Sequence, residues 1–463
     1  MGTISDKLMR IINTKEDIRQ ALISKGYDVP TSIPFKEYAK MILDLPCNAD
    51  SFPDIEGIVA RYSALGLTNE QMATNPVWKN LTGNGHDLQM KNFAWKEGSG
   101  ISDVYPGALV FDGVDDHGVC ENFPILTKGK GYTVVVLRQW DQDFLNTTLT
   151  GGLLSTRNYS TGEGVAFEKI ESSNKGYWNL GAGGIIDFAK SPFTWQTSKQ
   201  YNNVGILKGD KNHGKPLCVG CGLSGGQHCG RFAIWELVFL DHDATEEELT
   251  KIKDYFVKTY PWLFPDQAWT VVGKTNEDED RATIANITGN GNNLVLSNLG
   301  FIEGSGYNKE GEYAGYLVTD GVDDKITSSI FKMGNDWTVI GDWELINTGK
   351  NDNAGIVKFD SIVIYNYNYN SMLINIKNGR NNLIPDQNTV NAICSDGRIY
   401  SKDWKESIYN EETESTSKNF LTIGYSGNVY TKIAFKNLAI YPTILSKEDC
   451  IKAYNYLQTL KSK

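Results

Sequence analysis

The chain is poor in the residues on which several kinds of function depend. It has 463 residues but only five histidines, so general acid–base chemistry near neutral pH has few carriers. Asp and Glu outnumber Lys and Arg, leaving a net charge of −11. Nucleic acid is therefore not an expected partner, because neutralising phosphates takes clustered cations. The longest aliphatic run, Val134-Val-Val-Leu137, is far short of the roughly 20 residues a bilayer-spanning helix needs, and no membrane insertion is expected. No charged and then apolar leader opens the chain, which implies synthesis in a cytoplasm. Seven cysteines, an odd number in a long chain, do not read as a disulfide framework.

What is present is a repetition. Asn80-Leu-Thr-Gly-Asn-Gly85 returns as Asn286-Ile-Thr-Gly-Asn-Gly291, Glu97-Gly-Ser-Gly100 as Glu303-Gly-Ser-Gly306, and Asp112-Gly-Val-Asp-Asp116 as Asp320-Gly-Val-Asp-Asp324. Phe232-Ala-Ile-Trp-Glu-Leu-Val-Phe-Leu240 matches Ile433-Ala-Phe-Lys-Asn-Leu-Ala-Ile-Tyr441, and an acidic helical stretch follows each. A period of about two hundred residues is too long for a solenoid and right for a whole domain. Abundant glycine, aromatics and short alternating segments such as Gly176-Tyr-Trp-Asn-Leu180 point to antiparallel strands. The expected fold is mainly β, two tandem antiparallel sandwiches preceded by a short helical segment. The expected boundaries are a helical segment over 1–46, a linker over 47–54, and domains over 55–264 and 265–463. Closing helices are expected from Thr245 to about Tyr260 and from Ser446 to about Leu460.

In the opening segment Leu8, Ile11, Ile12, Ile18 and Leu22 keep helical spacing. So few residues cannot bury a stable core, so the segment must dock on the neighbouring domain, on a copy of itself or on a larger assembly. In the repeated turns Gly113 and Gly321 suit positive φ, the flanking aspartates cap the turn, and Val114 and Val322 are expected to return to the core. Calcium is the alternative use of Asp115, Asp116, Asp323 and Asp324.

The apolar strands Leu109-Val-Phe111 and Tyr316-Leu-Val318, each followed by Asp-Gly-Val-Asp-Asp and later by a terminal helix, resemble the concanavalin A-like (laminin-G-like) jelly-roll family over most of the chain. The resemblance implies two sheets packed face to face in each repeat. The opening stretch, through Thr14-Lys-Glu-Asp-Ile-Arg-Gln-Ala-Leu-Ile-Ser-Lys-Gly26 and Pro34-Phe-Lys-Glu-Tyr-Ala-Lys-Met-Ile42, is similar to the N-terminal segments of bacteriophage fibre and appendage proteins, those of phages of Bacteroides and the crAss-like group in particular. That likeness implies a virion structural protein, a head fibre in preference to a tail fibre. Its partners would be capsid or tail proteins, it would be a homo-oligomer (dimer or trimer), and it would sit at the virion surface after synthesis in the host bacterial cytoplasm. A free carbohydrate-binding protein is the alternative, and a glycoside hydrolase or depolymerase a more distant one.

No enzyme activity, cofactor or metal is expected. Jelly-roll glycosidases place their carboxylates as Glu-x-Asp-x-x-Glu on one strand, and neither repeat has that pattern. Cys218-x-x-Cys221 with Cys229, His228 and His213 could suit zinc. The second copy, however, has Leu421-Thr-Ile-Gly-Tyr where the first has Leu217-Cys-Val-Gly-Cys, so free thiols on a strand are the expectation. Ile364-Tyr-Asn-Tyr-Asn-Tyr-Asn370 alternates strictly, placing Tyr365, Tyr367 and Tyr369 on one face of a strand. With Trp178, Trp195 and Trp404 they are the candidate glycan contacts, against core packing as the plainer fate of each.

Overall fold

A computed structural model describes residues 52–124, 132–145, 147–156, 165–169, 176–180, 184–186, 204–209, 216–223, 227–329, 331, 333–346, 355–359, 362–368, 371–376, 380–385, 390–408, 421–426 and 429–462, with Lys15, Glu16, Ile18, Arg19 and Pro34 ahead of them. Lys15, Glu16, Ile18 and Arg19 are helical, and Glu16 and Arg19 form a one-turn ion pair of 2.7 Å. Leu8, Ile11, Ile12 and Leu22 lie outside the described residues.

Residues 1–54 group with 250–259 as one compact unit, and 55–249 with 260–463 as another. In the smaller unit the rings of Phe52 and Tyr255 meet edge-on at 5.0 Å. The larger unit holds both sandwiches.

Each repeat has the same arrangement around its closing strand. In the first, one sheet runs Val204–Gly209, Tyr132–Trp140, Arg231–Leu240, Leu109–Asp112, Gly100–Ile101, with Ile58–Ser63 also on the closing strand Arg231–Leu240. In the second, the order is Val390–Cys394, Thr338–Leu345, Ile433–Tyr441, Leu317–Val318, Gly306–Tyr307, with Gln267–Thr270 on the closing strand Ile433–Tyr441. A second antiparallel sheet covers the inner face in each case. It centres on Leu217–Val219 between Gly151–Ser155 and His117–Cys120, and on Leu421–Ile423 between Gly355–Phe359 and Lys325–Ser328. Alternating apolar side chains from both sheets fill the space between, around Tyr62, Trp78, Phe111 and Phe232 in one core and Trp269, Val339, Trp343 and Phe435 in the other. The closing helices are Glu246–Thr259 and Lys447–Gln458. Ser446 caps the latter, accepting from the Asp449 amide at 3.1 Å.

The repeated signatures form one brace in each copy. Gly113 and Gly321 have φ of 78° and 77°. The Asp112 carboxylate accepts from the Val114 amide at 2.8 Å, and Asp320 from Val322 at 2.7 Å. Asp116 accepts from the Asp112 amide at 3.0 Å and from the Ser99 hydroxyl at 3.1 Å. Asp324 accepts from the Asp320 amide and the Ser305 hydroxyl, both at 2.8 Å. The Glu-Gly-Ser-Gly turn is thus tied to the Asp-Gly-Val-Asp-Asp turn by a buried serine–aspartate bond. Val114 and Val322 do not return to the core. They are 73% and 71% exposed, because the capped turn aims its tip at solvent while the second aspartate of the following pair turns inward.

The cysteines also differ from expectation. Cys221 and Cys229 are register partners on a short hairpin and form a disulfide. The expectation of free thiols on a strand leaves out this pair, which depends on the register that sets Cys221 opposite Cys229. Cys218 is a buried thiol, outside the disulfide, packed against that bridge.

Candidate functional site

The closing strands carry a bulge at the same position. In the first repeat Ile234 and Glu236 face Arg138 and Leu137 in succession, so Trp235 is extra. In the second, Phe435 and Asn437 face Trp343 and Asp342, so Lys436 is extra. An inserted residue places two successive side chains on the outer face.

In the first repeat that face is closed. Trp235 is fully buried and donates its indole N–H to the Pro106 carbonyl at 2.9 Å. Tyr456, from the closing helix of the second repeat, meets the indole edge-on at 6.2 Å and donates to Gln139 Oε1 at 3.2 Å. Lys461 pairs with Asp143 beside them. Beneath lies a buried charge cluster. Arg61 grips Glu236 through two bonds of 3.1 and 3.0 Å, and Tyr260 donates to the same carboxylate at 2.8 Å. Burial raises the Glu236 pKa in spite of the Arg61 charge.

In the second repeat the face is half-open and lined with rings and charges. Val339, Trp343 and Leu345 point into the core, so strand alternation turns Asp342 and Glu344 outward, where both are partly exposed. Tyr316 donates to Asp342 Oδ1 at 3.1 Å, and Tyr454, from the closing helix, lies near enough to the same carboxylate for its charge to raise the phenol pKa. Lys436 lies 3.8 Å from Asp342 Oδ2 and 5.6 Å above the Tyr316 ring, and donates to Gln458 at 2.8 Å. Lys402 stands 3.8 Å from Glu344. The row continues through Trp404, edge-on to Tyr454 at 5.7 Å and near Tyr400 at 6.3 Å, and ends at its other side with Tyr313 edge-on to Tyr316 at 6.3 Å.

Two features hold the row in place. Trp404 has φ of 57°, a left-handed conformation that suits Gly or Asn and costs a bulky residue roughly 1–2 kcal/mol. Its amide donates to the Ser401 carbonyl at 2.9 Å while Ser401 receives the Lys405 amide at 3.1 Å, so the turn fixes the indole. Burial, then the Asp342 charge, raise the pKa of the Tyr316 and Tyr454 hydroxyls well above the usual tyrosine value. Both remain protonated donors. Burial pushes the Tyr400 hydroxyl up to about 12, against the opposing pull of Arg398.

No protein-family model matches the chain, and no curated protein does. Solved structures match the chain at low identity and low TM-score. The botulinum neurotoxin type G receptor binding domain is 13% identical, with 41% of this chain and 50% of that chain covered, at a TM-score of 0.26. The chain thus spans half the length of that domain. The botulinum neurotoxin serotype D binding domain is 10% identical, covering 85% and 97%, at 0.34. Trypanosoma rangeli sialidase in complex with sialic acid is 8% identical, covering 87% and 72%, at 0.30.

Of the residues expected to touch a glycan, Trp404 falls within this row. Tyr365 and Tyr367 lie on the strand Ile362–Asn368 and Trp178 on Gly176–Leu180, where the backbone alone is described. Tyr369 and Trp195 lie outside the described residues. Sequence reading missed Tyr316, Asp342, Lys436 and Tyr454. The one available signal was the exchange of Trp235 for Lys436 inside otherwise matching closing strands. It also passed over Gly222-Leu-Ser-Gly-Gly226, which has nucleophile-elbow spacing. The strands Cys221–Leu223 and Gln227–Cys229 on its two sides pair antiparallel, whereas an elbow leads from a strand into a helix.

Among the described residues, the carboxylate sets able to hold a cation are Asp112, Asp115 and Asp116, and Asp320, Asp323 and Asp324. Their hydrogen bonds within the brace account for their positions. Burial raises the Asp116 carboxyl to about 7, and it raises Asp324 as well.

Proposed function

We propose that the chain is an adhesion subunit displayed on a phage particle, a head fibre in preference to a tail fibre, whose second sandwich binds surface glycan without turning it over. The row from Tyr313 through Tyr316, Asp342 and Tyr454 to Trp404 carries this reading. Pyranose rings stack on aromatic faces while carboxylates accept their hydroxyls, and the row offers both on a partly exposed surface. The anchoring role assigned to residues 1–46 rests on their likeness to phage fibre segments and on their being too few to bury a stable core of their own.

Two experiments test the two halves. Titration of the full-length protein with oligosaccharides from bacterial surface polysaccharide should give binding that Asp342→Ala and Trp404→Ala each weaken about tenfold or more, with melting temperature little changed. Undiminished binding in both variants removes the row from the reading. Immunogold labelling of particles with antibody to the second sandwich should decorate the virion, and unlabelled particles end the fibre assignment.

A further inference from the structure

The charge arrangement of the row narrows the sugars it can hold, a step that rests on reading the row as a glycan site. Each outward carboxylate has a lysine beside it, Lys436 at 3.8 Å from Asp342 and Lys402 at 3.8 Å from Glu344. Lys436 also donates to Gln458 at 2.8 Å. The nearby Arg398 is committed to Asp396 at 2.8 Å, to the Tyr400 hydroxyl at 3.1 Å and to the Leu445 carbonyl at 3.1 Å. These lysines and carboxylates sum to no net charge, and the arginine presents no fork to a ligand. An anionic sugar would have to take Lys436 from Asp342 and then leave that carboxylate, which already accepts the Tyr316 hydroxyl, facing a second negative charge.

An uncharged polyol meets the opposite balance. A carboxylate offers about four lone-pair sites. Asp342 spends one on the Tyr316 hydroxyl and has acceptor sites left for neighbouring sugar hydroxyls. The Tyr316 phenol, its O–H directed at Asp342, still offers oxygen lone pairs to which a sugar hydroxyl can donate. The Trp404 indole, fixed by its turn and edge-on to Tyr454 at 5.7 Å, gives a flat apolar surface for a ring face. We propose that the row selects uncharged pyranoses presenting an apolar ring face and vicinal hydroxyls, and discriminates against sialic, uronic and sulfated sugars.

The test is calorimetric titration of the full chain with two probe sets: neutral gluco-, galacto-, manno- and N-acetylhexosamine oligosaccharides, and sialyllactose with oligogalacturonate. Each set is measured in about 50 and about 300 mM NaCl. At least one neutral probe should bind about tenfold or more tighter than any acidic one, and its affinity should move less than about twofold with salt. Asp342→Asn, nearly isosteric, should weaken that probe about tenfold, and Lys436→Met less than about threefold. Acidic probes binding as tightly as neutral ones, or affinity falling steeply with salt, overturn the proposed selectivity while leaving the glycan reading intact. Failure of every probe in both sets overturns the glycan reading and the selectivity with it. Should Asp342→Asn prove unstable on melting, Glu344→Gln and the salt series decide the same question.

Discussion

Trp235 and Lys436 occupy the same bulge of the same strand in two copies of one fold, yet the indole is fully buried against Tyr456 and the lysine stays half-open above Tyr316. Their neighbours explain the difference. Next to the Ile234–Leu109 pair, Ala108 precedes the adjoining strand with a side chain small enough to leave room for the indole, and the central strand carries Leu137 opposite Glu236. In the second copy the corresponding places hold Tyr316 and Asp342. An apolar outer face is stable only when covered, and the second repeat's closing helix covers it. A face of rings tied to carboxylate and ammonium groups needs no cover. The repeats thus differ in that one outer face is used for assembly within the chain and the other is left uncovered.

The largest effect expected from this comparison is at Trp235. Trp235→Ala should cost about 3–5 kcal/mol, the usual loss for a large buried side chain, whereas Lys436→Ala should cost less than about 1 kcal/mol. Chemical denaturation followed by fluorescence compares them, and equal losses would show that the bulges are not different environments. Next comes the carboxylate below the first face. Arg61→Ala leaves Glu236 buried with a weakened partner set and should cost about 3 kcal/mol. At the matching position of the second repeat, Asn437 is fully buried, and neither side-chain amide atom has a hydrogen-bond partner among the described residues. Asn437→Leu should therefore leave stability unchanged or raise it by about 1 kcal/mol, and a loss as large as that of Arg61→Ala refutes the contrast.

A third prediction concerns what the repeats share. Gly113→Val and Gly321→Val each force a β-branched residue into positive φ, and a Cβ would come within 2.9 Å of Arg231 Cβ or 3.0 Å of the Lys432 amide. Each should destabilise its own sandwich by about 1–3 kcal/mol, with chelator leaving both melting temperatures nearly unchanged. A large fall on chelation would mark the aspartates as metal ligands. The smallest effect is with pH. Asp116 and Asp324 both have raised pKa values in the folded protein, so the folded state holds protons that the unfolded chain releases. Their contribution to stability is complete below the unfolded carboxylate pKa and is lost as pH rises, for Asp116 toward about 7. Denaturation midpoints should fall between about pH 4 and about pH 7, with a shallower slope in Asp116→Asn. A midpoint rising over that range contradicts the assignment.

The turns, the closing strands, the helix limits and the mainly β class were legible because each depends on residues close together in sequence. Glycine at positive φ and aspartate capping its own turn act within five residues, and Ser446 three residues before Asp449 marks a helix start. Val114 was misread because alternation was carried across a turn that resets it. The disulfide was missed because pairing of Cys221 with Cys229 depends on a hairpin register that composition does not encode. The ringed face was illegible for a stronger reason. Tyr316, Asp342, Lys436 and Tyr454 come from a turn, two strands and a helix, and one inserted residue on the closing strand decides which of its side chains joins them.

In both sandwiches the first strand lies antiparallel to the last, with Ile58 beside Leu240 and Gln267 beside Ile440, so each domain's chain ends leave from one edge of the same sheet. A pull between those ends loads the ladder at its outermost hydrogen bond and peels it one bond at a time, because antiparallel bonds run across the strands and share a load only when strands slide along each other. In this geometry each sandwich is compliant to tension between its ends, and the strands Ile58–Ser63 and Gln267–Thr270 are the ones expected to unzip first.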